Sequence, residues 1–125
     1  MLPAWRRIRR AEDFRVVMRA GSRSSSRTVV VHAHTAGTAA PARAGFVVGR
    51  SVGGSVVRHR VTRRLRHLMV VHLEVLPAGT DVVVRALPPA AAASADDLAR
   101  DLSSCVRRAL SRLGQDAGTA TVVSQ

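Results

Sequence analysis

Apolar positions in this chain follow two rhythms, and the switch between them marks its elements. Phe14, Val17 and Met18 fall at i, i+3 and i+4, so a short helix is expected over Ala11 to Ala20, closed by Gly21. Ser22 to Arg27 is polar, with room for a short edge strand. Thr28 to His34, Thr-Val-Val-Val-His-Ala-His, reads as a strand, and so does Arg43 to Arg50 beyond the turn at Thr35 to Pro41. Their short link predicts that these two strands pair antiparallel. Gly53-Gly54-Ser55 then opens a helix that runs to about Val75. On a helical wheel its Val57, Val61, Leu65, Leu68 and His72 share one face, with Arg60, Arg63, Arg64 and His67 opposite and Arg58 and Arg66 at the edges.

Leu76 to Thr80, with Pro77 and Gly79, stops that helix. Asp81 to Leu87 is a strand whose apolar run suits burial on both faces, and Pro88-Pro89 ends it. Ser94 with Asp97 three residues on resembles a capping box. Leu98, Leu102, Cys105, Val106, Ala109, Leu110 and Leu113 form the apolar side of a last helix, which Gly114 is expected to close. These elements give one α+β domain over 11–114, a basic arm over 1–10 and a tail over 115–125.

Charge changes this picture more than composition does. All 20 basic residues are Arg, and the net charge is +12 over 125 residues. Between Phe14 and Leu73 the chain carries eleven arginines and no acid. Such a span presents a continuous positive surface and seeks a polyanion. Nucleic acid fits; a membrane surface does not, because no helix sets a bulky apolar face against the basic one. The N-terminus has charge but no apolar segment of the signal-peptide kind. The one cysteine, Cys105, reads as a buried free thiol of a reducing compartment. A cytoplasmic protein is expected.

No self-sufficient active site is legible. Asp96, Asp97 and Asp101 sit in the first turns of a helix, where capping explains them. His32 and His34 share one side of a strand but lack a neighbouring Cys, Asp or Glu to complete a metal site. Gly49, Gly53 and Gly54 lack the spacing and the Lys of a phosphate-binding loop. What is present is a surface: arginines that bind phosphate bidentately, and a strand leading through a Gly-Gly turn into a helix N-terminus.

The stretch Ala44 to Arg66, Ala-Gly-Phe-Val-Val-Gly-Arg-Ser-Val-Gly-Gly-Ser-Val-Val-Arg-His-Arg-Val-Thr-Arg-Arg-Leu-Arg, resembles the signature of the protein subunit of bacterial ribonuclease P. Glu12-Asp13-Phe14, the Val-Val-Val-His strand and the Leu-Pro-Ala-Gly-Thr-Asp-Val-Val-Val-Arg-Ala segment are similar too. The resemblance spans about residues 8 to 113. Gly54 and His59 stand where the family usually has Asn, and Thr62 where it has Lys. Met18 and His32 occupy positions often held by Phe and Tyr.

The resemblance implies a two-layer α/β sandwich of the ribosomal protein S5 domain 2-like kind. Its mixed, mostly antiparallel four-stranded sheet packs with three helices in the order α-β-β-β-α-β-α, with a left-handed crossover between parallel strands. It also implies that a catalytic RNA holds the Mg²⁺ and removes the 5′ leader of precursor tRNA, while the protein supplies no catalytic residue. Arg50, Arg58, His59, Arg60, Arg63, Arg64 and Arg66 would contact the catalytic RNA. Phe14, Met18, His32 and Phe46 would hold the leader. Two other readings share the charge. One is a structural, ribosomal-type RNA-binding protein with no role in cleavage. The other is a DNA-binding regulator, although neither a helix-turn-helix nor a dimer surface is visible.

Overall fold

The computed structural model describes residues 2–35 and 37–124, with side chains as far as residue 114. The elements are α1 (Ala11–Ala20), β1 (Ser22–Ser25), β2 (Val29–Thr35), β3 (Arg43–Val47), α2 (Ser55–Val75), β4 (Thr80–Ala86) and α3 (Ala95–Ser124). Short 3-10 turns at Ala4–Arg6 and Pro88–Ala91 are added to them. The expected α-β-β-β-α-β-α order is the order found. Among the described residues no helix is long and apolar enough to cross a membrane.

The sheet runs β1-β2-β4-β3. β1 and β4 each pair antiparallel with β2, while β3 pairs parallel with β4. The antiparallel pairing expected between β2 and β3 is therefore wrong: β4 lies between them. Val82, Val83 and Val84 have no exposed surface at all, and such a strand gains most from neighbours on both edges and helices on both faces. α2 supplies the long crossover that a parallel β3–β4 pair requires.

Alternation along the strands sorts the side chains between two faces. Val29, Val31, Ala33, Ala44, Val82 and Val84 join Val61, Leu65, Met69 and Leu73 of α2 and Leu98, Leu102 and Cys105 of α3 in the main core. On the other face Val83 packs with Ile8, Val17, Phe14, Met18 and Val47 in a smaller cluster under α1. The interior row of α2 differs from the expected one. Val61, Leu65, Met69 and Leu73 are buried, whereas Leu68 and His72 are only half-buried. Steps of four advance slightly more than one helical turn, so over 21 residues the buried stripe winds around α2.

Residues 2–10 pack against the domain. Leu2 enters the main core and Ile8 the cluster under α1. Between them Arg7 bridges Ala44 in parallel, and the Ile8 N–H donates to the Ala44 carbonyl at 2.9 Å. The segment thus crosses the outer edge of β3 and covers backbone groups that an edge strand leaves open. At the other end α3 continues through Gly114, which has no positive φ. The expected stop there is not made. The tail expected over 115–125 falls outside the residues whose side chains are described.

Candidate nucleic-acid interface

β3 leaves the sheet after Val47, earlier than its apolar run suggests. The chain turns at Gly49–Val52, where the Val52 N–H donates to the Gly49 carbonyl and the Gly53 N–H to the Arg50 carbonyl. Arg50 is exposed on this turn. Gly54 caps α2 without a side-chain hydrogen bond.

The arginines of α2 divide into two flanks. His59, Thr62, Arg63 and Arg66 recur at i, i+3, i+4 and i+7. With His67 they line a groove whose far wall is Leu2 and Arg7 of the N-terminal segment. Arg60 and Arg64 lie on the opposite flank. Their guanidiniums donate to the carbonyls of Ala91 and Ala93, at 2.8 and 3.4 Å. Arg58 is half-buried, its Nε enclosed without a partner, and its carbonyl accepts from Thr62 Oγ1 at 2.8 Å. Among the described residues no arginine of α2 pairs with a carboxylate. The groove therefore presents Arg7, Arg63 and Arg66 as uncompensated cations beside two imidazoles. That arrangement suits a phosphate backbone, which pairs with guanidinium bidentately.

The second expected set is only partly brought together. Phe14 and Met18 lie on the sheet beside Val83 and Val47. The Phe14 ring rests so closely on Gly45 that a Cβ there would stand 2.5 Å from Cε1; only glycine admits it. Register places Arg23, His32, Val83 and Gly45 in one row across this face. His32 is buried, and both its ring nitrogens are without a partner. Burial lowers its pKa, and the nearby charges of Arg23 and Arg85 lower it further. Phe46 does not belong here. It packs against the main core on the opposite face, because it alternates with Gly45 along β3. In its place the structure adds Arg23 and Arg85, two exposed arginines beside His32. Arg85 could have been noticed as the one basic residue of a strand rich in valine.

Several of the other titratable groups hold the fold together. Asp101 accepts from Thr28 Oγ1 at 2.6 Å, and the Asp97 N–H donates to Ser94 Oγ at 3.0 Å. His72 Nε2 lies 3.3 Å from Ser103 Oγ, and burial lowers its pKa. Cys105 is buried. Among the described residues no three His, Cys, Asp or Glu side chains gather to hold a metal ion.

Comparison with known proteins places the whole domain in one family. The Ribonuclease P family model matches residues 2–110. The ribonuclease P protein component of Acidothermus cellulolyticus is 51% identical over 116 residues, covering 92% of this chain and 93% of that protein. The one from Streptomyces bikiniensis is 48% identical over 118 residues, covering 88% and 96%. Among solved structures, the Staphylococcus aureus RNase P protein superposes with a TM-score of 0.76 at 25% identity, over 86% of this chain and 96% of that one. With half of its residues shared with such relatives over nearly its whole length, and with their sheet and helices, this chain belongs to the family of bacterial ribonuclease P protein components.

Proposed function

We propose that the chain is the protein subunit of a ribonucleoprotein endoribonuclease in which an RNA performs catalysis, and that it assists removal of the 5′ leader from precursor tRNA. The observation that carries this reading is the acid-free groove of Arg7, His59, Arg63, Arg66 and His67, which suits the backbone of the catalytic RNA. Arg50, Arg58, Arg60 and Arg64 extend the charge around it. The face under α1, with Phe14, Met18 and His32 between Arg23 and Arg85, would receive the single-stranded leader: aromatic and apolar groups stack on bases while arginines track phosphates. Phe46, on the other face, has no part in that contact. Mg²⁺ would be held by the RNA subunit, and the complex would act in the cytoplasm.

Leader release from a precursor tRNA at low millimolar Mg²⁺ tests the reading, with cognate catalytic RNA alone, protein alone and both together. Efficient cleavage only with both is the expected result. Cleavage by the protein alone would overturn the assignment of catalysis to the RNA. Tight RNA binding without stimulation would instead favour a structural RNA-binding protein.

A further inference from the structure

The N-terminal segment carries a feature that neither surface uses. Trp5 is 62% exposed, in a chain with three aromatic residues. The Arg6 guanidinium lies over its ring, 5.4 Å from the centroid, within cation–π range. Arg6 is itself held on two sides. Its Nε donates to the Ala42 carbonyl at 3.2 Å and its Nη2 to the Leu73 carbonyl at 2.7 Å. One side of the indole thus rests on a fixed cation, and the exposed remainder is open to solvent. Around it Ala4, Trp5, Arg7, Arg9, Arg10, Asp13 and Arg43 line a shallow cup. Arg9 and Arg10 are exposed and make no ion pair among the described residues.

We propose that this cup is a nucleotide-binding site: Trp5 stacks on one unpaired base, and Arg9 and Arg10 hold the phosphates flanking it. The proposal rests on the RNA-binding reading above and commits to the catalytic RNA as the source of that base. Two observations select it. Arg7 lines both the cup and the α2 groove, and Arg6 reaches Leu73, about two turns along α2 from Arg66. A strand in the groove thus continues into the cup past Arg7, and the acid that lines the cup, Asp13, faces Arg43 at 3.7 Å. Toward the face under α1 the path is different. Arg43 stands there between Asp13, at 3.7 Å, and Asp81, at 2.8 Å. With its guanidinium engaged by both carboxylates, Arg43 offers a leader entering from that side no unpaired cation at that point.

Trp5 is the only tryptophan and the chain has no tyrosine, so intrinsic emission excited at the indole band reports on this residue alone. The full-length protein is titrated with cognate catalytic RNA, then with precursor tRNA carrying or lacking its leader, and cleavage is assayed in parallel. Quenching that saturates with the catalytic RNA, and does not depend on the leader, is expected. Trp5→Leu should weaken catalytic-RNA binding by about five- to 150-fold, the range for loss of one stacked base, and Trp5→Phe should restore most of it. Stimulated cleavage without quenching by the catalytic RNA overturns this site and leaves the function reading standing. Quenching only by leader-bearing precursor overturns the assignment to the catalytic RNA. Absence of any catalytic-RNA binding overturns both readings.

Discussion

Gly45→Ala is a single-methyl change whose consequence follows from the contact between β3 and α1. The added Cβ would stand 2.5 Å from Phe14 Cε1, 2.6 Å from Cζ and 3.2 Å from Ile8 Cβ. Carbon atoms settle near 3.5–4.0 Å, so the ring must withdraw by about 1 Å from its 2.5 Å approach. Ile8 cannot yield instead, because its N–H is bonded to the Ala44 carbonyl. Phe14 is half-buried at the rim of a small cluster, so its ring can swing outward. The cost to stability therefore falls at the low end of overpacking, about 1 kcal/mol. The effect on binding should be larger, since one stacked base contributes roughly 1–3 kcal/mol. Dissociation constants for precursor and for mature tRNA, measured in the reconstituted complex, separate the two effects. Precursor affinity should fall by about fivefold or more, with mature tRNA unchanged and the urea midpoint only slightly lowered. In a Phe14→Ala background the glycine substitution should lose most of its effect, a coupling of at least about 0.5 kcal/mol. Equal losses for both RNAs, or strict additivity of the two substitutions, would refute a leader stacked on Phe14.

Three further outcomes are expected. Arg63→Ala should lower the log–log salt slope of catalytic-RNA binding by about 0.7–0.9. Arg60→Ala should lower it less, because that guanidinium is already engaged by the Ala91 carbonyl; salt titrations of both variants check this. His32 and His72 both have pKa values lowered by burial from 6.5, so the unfolded chain binds more protons than the folded one below that value. Stability should thus be full above pH about 6.5 and decline as the pH falls through the lowered values. Thermal unfolding from pH 8 to 5 should show this decline, flattened in a His32→Gln/His72→Gln variant. Leu65→Ala, at a side chain with no exposed surface, should cost about 2–5 kcal/mol in urea unfolding.

Local signals were legible wherever one short stretch decided the outcome. The period of three and four set α1, and the proline pair after Leu87 ended β4. The Ser94–Asp97 spacing set the start of α3, and its N–H···Oγ bond is present. Which strands would meet was not legible. A link as short as Thr35 to Pro41 favours a hairpin on local grounds, yet the sheet closes by burying Val82 to Val84 at its centre, a gain that depends on the whole molecule. The same reason separates Phe46 from Phe14. Alternation along β3 puts them on different faces once α1 has chosen one, and nothing in β3 records that choice.

The sequence by itself determined the chemical character of this protein: a long acid-free run of arginines and a family signature carried by Ala44 to Arg66. Charge and motif are properties of residues in order, so they survive without coordinates. Only the tertiary structure decided how that charge is divided. Arg63 and Arg66 join Arg7, more than fifty positions away, in one groove, while Arg60 and Arg64 turn to the loop beyond β4. It also turned the N-terminal arginines from an arm into part of the domain, because Leu2 and Ile8 lose their apolar surface to the two faces of the sheet. Burial is collective, and where each side chain comes to rest depends on partners far away in sequence.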